Sequence, residues 1–402
     1  MNLKEIKENI NYIIDNNVQL ETKGLKPYTV CLEGGHGIGK TAIVEEIAIE
    51  RGIKFTKINL GAFEEVGDLT GFPIKKYDMK NEKGELVTVA EASLEAHIKA
   101  GYELIPGSDP VMDFAIPSWV PKPTDGDNIL LLDDYSRANP LILQSTMELL
   151  DKGQLGTWKL PKNTQIILTS NPDNGEYSVS AMDNAQKTRF ITFEVDFDVK
   201  LLATHMEEVE VRSEFINFAL LYPEMFETNQ NNNQATGRTY MAFARTLESV
   251  PNLGSPDGLA RALDISAGIF DSEDNVIGSN FTMFINNKLD KLITPDDLVH
   301  KPWADVAKEL EKTIGHIDSK NYRADIAATI TFRLVNHILI KFEKKGVASQ
   351  PYVDRILKIV NHKKTILAMD LVYAMANKLF QKHASRVSKL LVDPKFKDML
   401  LG

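Results

Sequence analysis

Patterns of strand and helix that alternate as far as about residue 197, then give way almost entirely to helix, predict a three-layer α/β domain with a parallel sheet followed by helical regions. Two local features sharpen that expectation. Ile129–Leu132 is an unbroken apolar run, which suits a parallel strand buried on both faces. A glycine-rich turn over 34–39 separates a short apolar stretch, Tyr28–Leu32, from a helical stretch that begins at Lys40.

The elements follow in order. Ile6, Ile10, Ile13 and Ile14 recur at helical spacing and predict a helix over 3–17. After the strand at 28–32 and the glycine turn comes a helix over 40–51, then a strand over 53–60. Residues 61–127 are rich in Gly, Pro and Asp and read as loops and insertions decorating a core, with a hairpin turn at Asn81–Gly84 and a short helix over 91–100. Pro140 opens a helix that runs to Lys152, proline being favoured at a first helical position. Strands are expected at 165–169 and 190–197. Helices over 215–226, 239–250 and 259–270 form a lid, and the clearest of those beyond it cover 324–344 and 365–382. The organisation expected is an α/β core over 1–197 with the insertion at about 61–127, a helical lid over 198–270, and a helical, basic region of unassigned role over 271–402.

Composition bounds the class. Of 402 residues, 43% are apolar and 25% charged, which fits a packed globular chain. No run reaches the ~18 apolar residues of a membrane-spanning helix, and 1–17 lacks the apolar centre of a signal peptide, so a cytoplasmic chain without membrane attachment is expected. With a single cysteine, Cys31, no internal disulfide can form; lying in the apolar strand, it reads as buried and inert. The net charge of −10 is uneven: residues 319–402 carry 16 Lys and Arg against 6 Asp and Glu, a net of +10, leaving −20 on the remainder. The basic end is a candidate nucleic-acid or partner surface, or a solvated face that complements acidic neighbours.

The turn carries chemistry. Gly34, Gly35, His36, Gly37, Ile38, Gly39, Lys40 and Thr41 match GxxxxGK[ST] in full, with the strand before and the helix after that the motif requires. Glycines let the backbone fold tightly and aim its N–H groups at phosphate oxygens, and the helix start adds its positive dipole end. Lys40 supplies a charge for the β- and γ-phosphates, and the Thr41 hydroxyl a ligand for Mg²⁺. His36 has no second His or Cys near it in sequence and reads as a spacer. Asp133, ending the apolar run, is placed to hold Mg²⁺ at the carboxyl end of its strand. Asp134 is a candidate general base for the attacking water. The motif specifies a nucleoside triphosphate without choosing between ATP and GTP.

Taken together these stretches resemble the MoxR type of AAA+ ATPase, within the P-loop NTPase superfamily. Leu32–Thr41 is similar to that family's LEGxPGxGKT (Walker A), with His36 in the proline position. Leu131–Pro140 is similar to its LxDEINRAxP (Walker B). Asn171 and Pro172, then Gly175, Tyr177 and Asn184–Phe190, resemble its NP, G, Y and EAQLDRF segments, and Thr236–Thr239 its SPR segment. The resemblance covers about 26–260. It implies ATP with Mg²⁺, a polar sensor at Asn171, an arginine finger at Arg189 that reaches a neighbouring subunit's nucleotide, and a sensor arginine at Arg238. It also implies a homo-hexamer acting on a protein substrate, often with a von Willebrand factor A-type partner. In this family the region matching the insertion faces the ring's pore or partner, making Tyr102, Phe114 and Trp119 candidate grips on a substrate chain, with packing of the insertion onto its domain as the plainer role. The sequence departs from the pattern where Asp134 replaces a glutamate, Thr188 an aspartate and Gly237 a proline.

Three functions compete at this level. The first is a ring-forming, chaperone-like ATPase that remodels a protein. The second is a nucleic-acid motor or loader using 319–402. The third, motivated by the short side chain of Asp134, is a switch that binds ATP and hydrolyses it slowly.

Overall fold

A computed structural model of the chain describes residues 1–173, 180, 182, 184–226, 235–270, 276–287, 291–362 and 367–401. The chain forms two compact units, Met1–Phe197 and Asp198–Gly402.

In the first unit α1 (Leu3–Thr22) leads into β1 (Thr29–Glu33), α2 (Lys40–Arg51) and β2 (Lys54–Asn59). A segment containing α3 (Val66–Thr70), β3 (Pro73–Asn81), β4 (Leu86–Ala90), α4 (Leu94–Lys99), β5 (Tyr102–Leu104) and β6 (Val111–Phe114) follows. The core resumes with β7 (Asn128–Asp133), α5 (Pro140–Lys152), a small hairpin of β8 (Gln154–Leu155) and β9 (Trp158–Lys159), β10 (Thr164–Ser170), α6 (Asn184–Lys187) and β11 (Phe190–Glu194). Five strands pair in the order β11-β1-β10-β7-β2, all parallel.

Strand pleating divides the core between two faces. Val30, Leu32, Ile129, Leu131 and Ile167 point to the face covered by α1 and α2, while Cys31, Leu130, Leu132, Ile166 and Leu168 point to the face covered by α5. Both faces of β7 are buried because helices cover both, and this is why its sequence runs apolar without alternation. Burial pushes the Cys31 thiol well above its ordinary range. Asn17 of α1 is buried too: its amide donates to the Tyr28 carbonyl and to Gln165 Oε1, both at 2.8 Å, so a polar residue locks α1 against the sheet. Helix ends carry the expected chemistry. Asn2 caps α1 in a reciprocal pair with Glu5, Asn139 caps α5 ahead of Pro140, and α2 stops at left-handed Gly52.

Residues 61–127 are more ordered than their composition suggests. β3 pairs antiparallel with β4, β5 and β6 in a second, four-stranded sheet. Only Met79 and Val89 of these strands are buried and the other side chains are partly or fully exposed, so little apolar alternation marks them. The expected turn at Asn81–Gly84 is present, with Gly84 at φ 84°. Trp119 and Trp158 pack edge to face at 5.6 Å, and their indole N–H groups donate to the carbonyls of Asp68 and Thr70, pinning this segment to α5 and its hairpin. Phe114 is half-buried against the same cluster, and Tyr102 meets His97 edge to face.

The second unit is helical: α7 (Val199–Glu208), α8 (Ser213–Leu221), α9 (Gly237–Thr246), α10 (Pro256–Phe270), α11 (Val276–Asn286), α12 (Pro295–His300), α13 (Trp303–Ile314), α14 (Ala324–Glu343), α15 (Gln350–Val360), α16 (Met369–Val387) and α17 (Pro394–Leu401). Phe215 stacks on Phe281 at 5.0 Å, and the buried Tyr240 hydroxyl donates to the Phe215 carbonyl at 2.7 Å. The long helix α14 packs on α7 and α8. There Arg333 donates to Glu207 at 2.7 Å, to Asn217 Oδ1 at 2.8 Å and to Ser213 Oγ at 3.1 Å, with Arg333 and Glu207 side chains only 6% and 7% exposed. Burial pushes the Glu207 carboxyl up, with Arg333 and Lys378 pulling the other way. No described helix is long and apolar enough to cross a membrane.

Candidate active site

The parallel sheet brings the ends of β1, β7 and β10 together at one edge, with the start of α2 directly after β1. Gly37 and Gly39 take φ of 68° and 101°, conformations that suit glycine best, and turn the loop back onto α2. Gly34 is needed for a different reason. A Cβ there would lie 2.7 Å from the Val195 carbonyl oxygen and 2.8 Å from Ile38 Cδ1. The loop therefore has the shape that lets main-chain amides close on phosphate oxygens. Gly35 and Ile38 complete its path, and His36 stands exposed at its crest.

Lys40 is folded into this loop, 9% exposed. Its ammonium donates to the carbonyls of Gly34 and Gly35 at 2.6 and 2.7 Å and to Asn171 Oδ1 at 3.2 Å. Asn171, buried just beyond β10, is itself fixed by its N–H donating to Ser136 Oγ at 3.0 Å. Because β10 lies between β1 and β7, Asn171 sits between the glycine loop and Asp133. On the far side, Thr41 Oγ1 donates to Asp133 Oδ1 at 3.0 Å, and Thr169 Oγ1 donates to the same oxygen. Lys57 reaches across from β2 to Asp133 Oδ2 at 2.7 Å. Burial works against ionisation of Asp133, but Lys57 and the two hydroxyls outweigh it and hold the carboxyl below its usual range. A hydroxyl and an ionised carboxylate already in register form an oxygen donor set that suits Mg²⁺ beside a triphosphate. The loop, Lys40 and this pair have the chemistry to hold a nucleoside triphosphate and its metal.

Asp134 follows in a left-handed conformation, φ 52° and ψ 40°, its N–H donating to Thr169 Oγ1 at 3.0 Å. Its carboxylate is half-buried, and among the described residues it has no hydrogen-bond partner. Lys40, Thr41, Asp133 and Asn171 thus converge, with Asp134 next to Asp133 in the chain.

Arg189 does not join them. Phe190 pairs with Thr29 at the start of β1, whereas the glycine loop follows Glu33 at its end, so Arg189 lies at the opposite edge of the sheet. Its Nε donates to Asp151 Oδ2 at 2.7 Å, its Nη1 donates to the Ala185 carbonyl, and Asp151 also meets Lys26 at 3.2 Å. Arg238 belongs to the second unit, exposed in the first turn of α9, where Thr236 and Thr239 form a reciprocal cap. Gly175 and Tyr177 lie outside the described residues.

Sequence reasoning missed Lys57, Thr169 and Ser136. Thr169 was visible as a hydroxyl at the carboxyl end of an apolar strand. Lys57 needed the β2–β7 register, since only the pairing of Lys57 with Leu131 makes Asp133 its diagonal neighbour.

Comparison with known proteins agrees with this geometry: residues 29–190 match the AAA domain (dynein-related subfamily). These residues form an AAA+ P-loop NTPase domain. A 70-residue stretch is 39% identical to Lon protease 1 of Bacillus subtilis, covering 17% of this chain and 9% of that protease. The chain therefore spans under a tenth of that relative's length. Among solved structures, two mutants of Thermotoga maritima RuvB align over 76% and 75% of this chain and 80% and 77% of theirs, at 15% and 14% identity, each with a TM-score of 0.32. A superposition that loose adds nothing to the fold read from the strand order.

Proposed function

We propose that this chain binds ATP with Mg²⁺ and hydrolyses it as one subunit of a homo-hexameric, MoxR-type AAA+ ring that remodels a protein partner. The observation that carries the reading is the convergence of the Lys40 ammonium, the Asn171 amide and the Thr41–Asp133 pair beside a loop shaped for phosphate. Loop amides and the α2 terminus bind the phosphates, and Lys40 exchanges its carbonyl partners for phosphate oxygens. Thr41 and Asp133 would hold the Mg²⁺, which offsets phosphate charge when bound. Asn171, fixed by Ser136, orients water near the γ-phosphate, and Asp134 accepts its proton. Arg189, at the far edge of the sheet, supports a role toward a neighbour's nucleotide. Heterologous contacts of that kind close into rings. Arg238 is assigned to the second unit's response to nucleotide.

A partner that is a protein suits the second unit better than nucleic acid does. Part of the positive charge in 319–402 is used internally: Arg333 pairs with Glu207, Arg355 and Arg386 donate to backbone carbonyls, and Lys378 bonds Asn336. A von Willebrand factor A-type partner fits the same reading. The slow-switch alternative rests on Asp134, whose carboxylate is one methylene shorter than glutamate.

The test combines phosphate release by the wild type and by Lys40→Ala with native mass measurement in ATP and capture by hydrolysis-blocked Asp134→Asn. Turnover by the wild type alone, a ring mass, and an ATP-dependent protein partner support the proposal. Equal phosphate release from wild type and Lys40→Ala overturns it, and ATP binding without turnover in the wild type selects the switch.

A further inference from the structure

Both carboxylate oxygens of Asp133 are engaged. Oδ1 accepts from Thr41 and Thr169, and Oδ2 faces the Lys57 ammonium at 2.7 Å. Lys57 comes from β2, the edge strand, where Lys57 pairs with Leu131 and Asn59 with Asp133. The two β2 side chains share a face, and a lysine two residues back reaches diagonally to a carboxylate that the directly opposite Asn59 does not engage. Asn59 Oδ1 accepts instead from the Gly61 N–H at 3.0 Å. Lys57 is therefore the cation that balances Asp133 in this structure. Its side chain is 44% exposed, with a four-carbon tether and open solvent into which it can withdraw.

A divalent cation that approaches Asp133 meets a position already holding positive charge. Thr41 need not move to accommodate the ion, because a hydroxyl can donate to Asp133 while a lone pair faces the metal. An ammonium has no lone pair and can only repel it. We infer that Lys57 is an internal counter-ion that stands in for the divalent cation at Asp133, keeps the carboxylate in place for it, and is displaced when the ion arrives with nucleotide. Lys57 is thus a positioning residue rather than a catalytic one. It makes metal binding an exchange of cations and links the edge strand β2 to the state of the site. The inference rests on the nucleotide-site reading proposed above.

The experiment titrates the full-length protein with Mn²⁺ in the presence of ADP, following free Mn²⁺ by electron paramagnetic resonance, for wild type, Lys57→Met, Lys57→Arg and Asp133→Asn. A fluorescent ADP analogue in EDTA measures nucleotide binding separately. Lys57→Met should bind Mn²⁺ about two- to fivefold more tightly, the modest size reflecting a solvent-exposed pair. Lys57→Arg, which keeps the charge, should stay near wild type, and Asp133→Asn should bind several-fold more weakly. A purely structural Lys57 would lower the melting temperature of Lys57→Met and leave its Mn²⁺ affinity unchanged. That result, or weaker binding, overturns the inference, as does Lys57→Arg matching Lys57→Met. If the wild type binds no ADP analogue at all, the nucleotide-site reading fails first, whatever the Mn²⁺ titrations show. Lys57 is exposed on an edge strand and its variants should fold, which circular dichroism verifies.

Discussion

Replacing Lys40 with alanine should raise the Kd for ATP·Mg²⁺ about 10- to 150-fold. In the free protein the ammonium is held by the Gly34 and Gly35 carbonyls at 2.6 and 2.7 Å and by Asn171 Oδ1 at 3.2 Å. Gripping phosphate means giving up at least the two carbonyls, which belong to the loop itself. Only the surplus of new charge-assisted bonds over those relinquished contributes to affinity. A hydrogen bond to a charged group is worth ~1.5–3 kcal/mol, and a surplus of about one such bond corresponds to roughly 10- to 150-fold in Kd. The assay is calorimetry with ATP and Mg²⁺ in an Asp134→Asn background, so that turnover does not consume the titrant. A Kd for Lys40→Ala within twofold of the parent would refute the reasoning, because the residue at the centre of the loop would then touch nothing on the ligand.

Three further outcomes follow from the geometry. Arg189→Ala should leave ATP affinity of the dilute subunit unchanged and, mixed with wild type, depress phosphate release more than in proportion to its share; loss of affinity in the isolated subunit would contradict its place on the far edge of the sheet. Arg333→Met strands the buried Glu207 and should destabilise the Asp198–Gly402 unit by ~3–5 kcal/mol. At ~2–4 °C per kcal/mol that lowers its calorimetric transition by ~6–20 °C, with Glu207→Gln in the same chain restoring much of the loss. Asp133 has a folded pKa below its unfolded value of ~3.9, so its stabilising contribution is complete above that value and disappears as pH falls through the folded pKa. The melting-temperature gap between wild type and Asp133→Asn should thus narrow as pH falls below the unfolded value of ~3.9 toward the lower folded one, and a gap that widens would reverse the sign argued here.

How far the sequence reveals this site depends on the kind of contact. Gly34–Thr41 and Ile129–Asp133 were legible because their functions follow from local backbone geometry and from strand burial, both of which leave marks within a few residues. Thr41 and Asp133 were each legible as Mg²⁺ ligands, one at the start of the helix after the glycine turn and one at the end of an apolar strand, while the bond between them needed the structure. Lys57 was not, because a lysine on a polar-looking strand acquires meaning only from cross-strand register. The sheet formed by β3, β4, β5 and β6 departs from the expected loops for a related reason: with only Met79 and Val89 buried, its strands lack the alternation that a buried face imposes. Arg189 shows the opposite case. Its proposed role comes from family resemblance alone, and the structure adds the Asp151 pair and its position beside the start of β1, which no local pattern encodes.

The left-handed turn at residue 134 sets the fold and the chemistry against each other. A side chain in that conformation strains the backbone by ~1–2 kcal/mol, least for aspartate, asparagine and glycine. In the proposed role of Asp134 as base, lengthening it to glutamate would extend the acid's reach while adding strain, so faster turnover and a sturdier fold call for different residues at this position. Asp134→Gly, which relaxes the turn and removes the acid, should melt above the parent and hydrolyse nothing.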